Sequence, residues 1–209
     1  MPLIIGFKYK DGVILACDVQ TTPEAFPRIA GSRQLVQLTS NIAVAGVGLK
    51  GAIQDVIKSA LRTVTHYDDQ LFDTHIGAFS SANSFWQIEN EHKLQKNDIA
   101  GADFIVASNN RIRIVFASGY EEEIDEYGCA GSGRAYAEHV LRKHYRQDML
   151  EEEAKKLMAY TFLETSDVDG YTGDSFTAKL LRSGRGCMEL TDAEILWLKS
   201  QMTDKNLIR

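Results

Sequence analysis

The sequence predicts an α+β fold built on antiparallel sheets, and three observations carry that prediction. Apolar, β-branched runs arrive in consecutive pairs joined by short polar turns; segments with a helical apolar period also arrive in pairs; and the two kinds alternate in blocks rather than singly. A parallel βαβ sheet would instead alternate single strands with single helices. The 209 residues, 44% hydrophobic and 25% charged, are enough to bury a sizeable core. Pro2, Pro23 and Pro27 are the only prolines, and no shift in composition follows them, so residues 1–209 are expected to form one domain.

Residues 3–10 and 13–18 flank Asp11-Gly12, the strongest short hairpin signal, and are expected as paired strands. After a polar loop, residues 35–38 and 42–45 around Thr39-Ser40-Asn41 read as a second hairpin. Ile53, Val56, Ile57, Ala60, Leu61 and Val64 recur at steps of three and four, which predicts a helix over 50–66. A second helix is expected over 69–94, with Leu71, Phe72, Ile76, Phe79 and Trp86 on its apolar face. Residues 103–107 and 111–117 predict strands around Ser108-Asn109-Asn110, with a third strand over 123–129. Helices are expected over 133–144 and 150–163, then strands over 175–181 and 187–190. A last helix is capped by Thr191, with Glu194 completing a capping box.

The net charge of −6 and the scatter of the basic residues exclude a nucleic-acid surface, which needs a concentrated basic patch. Cys17, Cys129 and Cys187 are far apart and without C-x-x-C spacing, so neither a disulfide framework nor a zinc site is expected; a reducing, cytoplasmic location fits. His139 and His144 are five apart, which does not put them on one helical face, and no metal or cofactor is expected. No apolar run approaches the ~20 residues that span a bilayer.

Gly46-Val47-Gly48-Leu49-Lys50-Gly51 matches a dinucleotide fingerprint but lacks the following strand, and reads as a tight strand-to-helix turn. Gly131-Ser132-Gly133 reads as a helix-capping turn, or as a place where backbone N–H groups and a hydroxyl meet a substrate. Residues 167–174 (DVDGYTGD) lack calcium-loop spacing, and as a bare pattern read as a solvated loop.

Together these pieces resemble the proteasome β-subunit family of N-terminal nucleophile hydrolases. The resemblance rests on Leu3-Ile4-Ile5-Gly6-Phe7 with Lys10-Asp11-Gly12-Val13-Ile14-Leu15-Ala16-Cys17-Asp18, then residues 41–48, Ala130-Gly131-Ser132-Gly133 and Asp169-Gly170-Tyr171-Thr172-Gly173, in the family's order. It implies a four-layer αββα sandwich and packing into rings, either with copies of itself or with other proteasome-like subunits. In active members an N-terminal threonine attacks the scissile carbonyl and its own α-amine, with a pKa near ~8, serves as general base. Carried over by position, Asp18 matches the strand-end aspartate, Ser132 the turn serine, Asp169 the late-loop aspartate, Thr172 the late hydroxyl and Thr22 the end of a D-x-R-x-T segment in which Gln20 replaces the arginine. Thr21, Gly46 and Gly48 fall at substrate-pocket positions, and the missing side chain at Gly46 implies a roomy pocket.

Two positions depart from the family. Counting back from Gly6 puts Pro2 at the nucleophile, and counting forward from Asp18 puts Gln34 at the catalytic lysine. Proline has neither hydroxyl nor thiol. No propeptide is expected ahead of the first hairpin, nor the N-terminal helix of an α-type subunit. Three readings follow. The first is a non-proteolytic ring subunit whose pocket binds a peptide or small molecule without cleaving it. The second is an enzyme that uses the Pro2 amine, once Met1 is removed, as general base or iminium former. The third is residual amide-bond chemistry with another nucleophile, for which Cys17 is the nearest thiol; strand alternation places it opposite Asp18, buried and inert.

Overall fold

Two five-stranded antiparallel sheets lie face to face in the computed structural model, which describes residues 3–19, 34–64, 71–90 and 101–202. In chain order the elements are β1 (Leu3–Tyr9), β2 (Gly12–Asp18), β3 (Leu35–Gln37), β4 (Ala43–Gly48), α1 (Lys50–Thr63), α2 (Phe72–Asn90), β5 (Ala102–Ala107), β6 (Ile112–Val115), β7 (Glu121–Ile124), β8 (Tyr127–Gly131), α3 (Arg134–His144), α4 (Glu151–Ser166), β9 (Phe176–Arg182), β10 (Gly186–Glu189) and α5 (Asp192–Met202). One sheet has the order β10-β9-β2-β1-β8, the other β3-β4-β5-β6-β7.

Three apolar layers separate four structural ones. In β1, Leu3, Ile5, Phe7 and Tyr9 pack with Ile14 and Ala16 of β2 against α3, α4 and α5. The alternate residues Ile4, Val13, Leu15 and Cys17 meet Ala43, Ala45, Ile105 and Ile114 of the other sheet. The far face of that sheet, through Val44, Phe104, Val106 and Val115, packs under α1 and α2. Because β1 and β2 are covered on both faces, they read as unbroken apolar runs, without the alternation of a half-exposed strand. The first hairpin forms, but its register runs from Ile4 opposite Cys17 to Tyr9 opposite Gly12, so the two-residue loop is Lys10-Asp11 rather than the expected Asp11-Gly12, and Gly12 is the first residue of β2.

The expected single strand over 123–129 is two strands in different sheets. β7 ends at Ile124 and pairs with β6, whereas β8 starts at Tyr127 and pairs with β1, so the chain crosses the sandwich at Asp125-Glu126. Gly46 and Gly48 lie inside β4, paired with Phe104 and Ala102, and only Leu49 separates Gly48 from the start of α1, so the segment makes the expected tight strand-to-helix turn. Gly48 has φ of +137°, and a Cβ there would lie 2.5 Å from the Gly101 carbonyl oxygen, so only glycine fits the strand's end. Helix α4 extends three residues past its expected end, to Ser166. Of the expected helices over 50–66 and 69–94, residues 65–70 and 91–94 lie outside the described residues. The capping box is formed: the Thr191 N–H donates to Glu194 Oε2 at 2.8 Å and the Glu194 N–H to Thr191 Oγ1 at 3.2 Å.

Candidate functional site

The end of β2, the Gly131-Ser132-Gly133 turn and the loop between α4 and β9 meet at one end of the sandwich. The loop leaves α4 in a tight turn, the Val168 and Asp169 N–H groups both donating to the Thr165 carbonyl at 3.1 and 2.8 Å. It is then laid along β2, because the Gly173 N–H donates to Asp18 Oδ2 at 2.7 Å and the Val19 N–H to the Ser175 carbonyl at 3.0 Å. Asp18 is fully buried.

Asp169 is the hub. Its Oδ2 accepts from the Ser132 hydroxyl at 2.7 Å and the Thr172 hydroxyl at 2.6 Å, and its Oδ1 from the Tyr171 N–H at 3.2 Å. Burial opposes its ionisation, but the hydrogen bonds from Thr172, Ser132 and Tyr171 outweigh burial and hold the carboxyl below the usual carboxylate range. The loop is solvated only in part: Asp167, Val168, Gly170, Tyr171 and Asp174 are exposed, whereas Asp169 is 8% and Thr172 4% exposed. Such a carboxylate is too weak a base to take protons near neutral pH. It is suited instead to orienting hydroxyls and to holding a positively charged amine.

Four of the residues singled out by sequence are thus drawn into one network, Asp18, Ser132, Asp169 and Thr172, the first through the backbone of the loop that carries the other two acceptor and donor groups. Gln34, just ahead of β3, is held by its carbonyl, which accepts from the Gly46 N–H at 2.8 Å. Its side-chain Oε1 accepts from the Cys17 thiol at 3.1 Å, so a neutral amide stands there in contact with a thiol. Cys17 lies in the layer between the sheets, and burial together with the adjacent Asp18 charge drives its thiol pKa far upward. A thiol held protonated in that layer is no nucleophile. Pro2, Thr21 and Thr22 lie outside the described residues.

The pocket side of β4 departs from expectation. A Cβ at Gly46 would come 2.8 Å from the Phe104 ring and 3.1 Å from Ile53 Cγ2, so the missing side chain makes no room there; core residues under α1 fill it. Sequence reasoning missed three contributors to the site. Gly173 and Tyr171 act through backbone N–H groups, and Gly133 acts by having no Cβ; only glycine spacing in the two turns hinted at them. No group of three or more His, Cys, Asp or Glu able to hold a metal occurs among the described residues. No helix among them is long and apolar enough to cross a membrane.

Asp169→Asn tests the hub. A carboxyl whose folded pKa is depressed contributes stability that is fully present above its unfolded value, near ~3.9, and lost as pH falls through the folded value. The variant is expected to be less stable than wild type by about 1–3 kcal/mol at neutral pH, with the gap closing in acid below pH ~4. Chemical denaturation at stepped pH checks this, and a gap independent of pH would contradict it.

Residues 3–181 match the family model described as proteasome subunit. The chain is 26% identical over 198 residues to proteasome subunit beta 2 of Thermococcus kodakarensis, covering 88% of this chain and 92% of that protein. It is also 26% identical over 182 residues to proteasome subunit beta 1 of Pyrococcus furiosus, covering 81% and 85%. Proteasome subunit beta 1 of Staphylothermus marinus is 25% identical over 175 residues, with 82% and 80% covered.

Proposed function

This chain belongs to the proteasome subunit family, and from that premise we propose that it is a β-type, ring-forming subunit that does not cleave peptides by threonine chemistry. The observation that carries the proposal is the Asp169 carboxylate, which gathers Ser132, Thr172 and the Tyr171 N–H in a frame suited to an N-terminal amine. Counted from Gly6 and Asp18, Pro2 falls where that frame would serve a threonine, and neutral Gln34 where a lysine ammonium would tune it. Without the hydroxyl no acyl-enzyme can form, and without the ammonium the electrostatic help to the amine is lost. On this reading the chain assembles in the cytoplasm with copies of itself or with other proteasome-like subunits, and its pocket holds a peptide or small ligand without hydrolysis.

Purified protein is expected to show the mass of a multi-subunit assembly, no cleavage of fluorogenic peptides, and no mass adduct after incubation with a peptide epoxyketone. Cleavage that disappears with the epoxyketone would overturn the proposal. The same intact-mass measurement decides the second reading, in which Pro2 carries a free secondary amine whose ammonium form Asp169 would hold. Retained Met1 eliminates that chemistry; loss of Met1 keeps it, and covalent trapping of a carbonyl compound by borohydride would establish it.

A further inference from the structure

The buried face of α2 is apolar but for two side chains, His75 and Asn83. Asn83 is bonded: its amide donates to the Ala102 and Phe116 carbonyls at 2.7 and 2.8 Å. His75 is fully buried too, yet neither of its ring nitrogens has a hydrogen-bond partner among the described residues. At about 100° per residue, His75, Ala78 and Ala82 fall within an arc of about 60° on the helix. That flank faces α1, because Ala82 meets Ser59 of α1 across a groove of about 670 Å³. Asp73 and Ser80 stand on the other flank, where Asp73 accepts from Arg111 at 2.9 Å and the Ser80 hydroxyl donates to the Gly119 carbonyl at 2.6 Å.

A neutral imidazole fits such a seam and an imidazolium does not. Burial lowers the His75 pKa, and no carboxylate nearby is free to offset it. The charged groups of α1, Lys50, Asp55, Lys58 and Arg62, are all exposed, and β3 and β4 carry none. On β5, Asp103 alternates with Phe104, so it points to the other face of the sheet, where it accepts from the Ala117 N–H. On β6, Arg113 pairs with Glu121 and Glu123. On α2 itself, Asp73 is held by Arg111 and Arg113, and Glu89 is exposed about four turns further on. Those other bonds survive mild acid. Hydrogen bonds from Arg111 keep Asp73 and Glu123 below the usual carboxylate range, and Asp169 keeps its depressed value against burial.

We propose that His75 is an acid-sensitive latch in the seam between α1 and α2. Neutral, it fills the seam; protonated, it parts α1 from α2, while the Asp73 flank holds α2 on its sheet and the Asp169 site is undisturbed. An exposed imidazole takes up a proton near ~6.5, and the one in the closed seam does so less readily. Closure is therefore fully stable above that pH and is lost as pH falls below it. Between pH 7.5 and 5.5, one proton shifts the opening equilibrium about tenfold.

Hydrogen exchange followed by mass spectrometry at pH 7.5 and 5.5, with rates corrected for the intrinsic effect of pH, tests the latch. Peptides from α1 and from the first half of α2 are expected to lose about tenfold in protection at the lower pH. Peptides from β1, β2 and β8 are expected to keep theirs. His75→Phe, which fills similar space without a titrating nitrogen, is expected to hold α1 equally protected at both pH values. Should that variant not fold, the wild-type imidazole followed by nitrogen-15 NMR decides: its midpoint is expected below ~6.5 and coincident with the loss of α1 protection. A loss that persists in His75→Phe, a loss spread evenly over every element, no loss at all, or a His75 midpoint at or above ~6.5 would overturn the proposal.

Discussion

Replacing Phe104 with alanine is expected to cost about 3–5 kcal/mol, the range for a fully buried aromatic. The ring sits 5.4 Å from that of Phe79, and its edge occupies the space above Gly46. The upper part of the range applies because of that glycine. Cavities shrink when neighbouring side chains lean in, and at Gly46 there is none to lean. The same geometry predicts coupling: Gly46→Ala alone should cost about 1–3 kcal/mol by driving a methyl into the ring, whereas added to Phe104→Ala it should cost nothing or recover part of the loss. Denaturant unfolding of the two single variants and the double variant measures this. Additive losses would show that the ring and the glycine do not share that space.

Gly133→Ala is expected to be the most damaging single methyl in the site. The new Cβ would stand 2.6 Å from Thr165 Cγ2, 2.7 Å from Thr172 Oγ1 and 3.2 Å from Asp169 Oδ2. Backbone conformation is not the obstacle, since φ is −76° there. The obstacle is that the turn and the α4–β9 loop touch backbone to side chain, and any side chain at 133 pushes the loop off Ser132. The expected cost is about 2–4 kcal/mol, combining overpacking with weakened bonds to a charged acceptor. Its signature is a raised Asp169 pKa, read by carbon-detected NMR titration, because the depressed value depends on those bonds. A destabilised variant with an unmoved Asp169 pKa would separate the two effects and contradict this account.

The hairpins and the amphipathic helices were legible because their signals are local. Asp11-Gly12 signals the first hairpin, although the two-residue loop itself is Lys10-Asp11, the α1 periodicity marks one face, and Thr191 with Glu194 marks a start. The break at Asp125-Glu126 was not, because nothing in Glu-Ile-Asp-Glu-Tyr resembles a turn; what separates β7 from β8 is the choice of different sheets, a long-range event. In the site, Asp18, Ser132, Asp169 and Thr172 were found as residues of a resembling pattern. That Asp169 collects the two hydroxyls could not be read from positions 37 and three residues away. Nor could the blocking of the Gly46 side by Phe104, since the partner comes from the neighbouring strand. Glycine is ambiguous in a sequence: absence of a side chain means room in one fold and close packing in another.

The order of the strands also governs when each sheet can form as the chain is synthesised. The β3–β7 sheet and its two helices come from one continuous stretch, so its pairings close short loops and can form while the rest is still being made. The other sheet cannot. Its two central strands are the first to emerge, yet they wait for β8 and β9, with Asp18 finding Phe176 and Gly173 across about three-quarters of the chain. The hairpin that leads the polypeptide is thus the last to be seated, and the site at its end is assembled only when the fold is nearly finished.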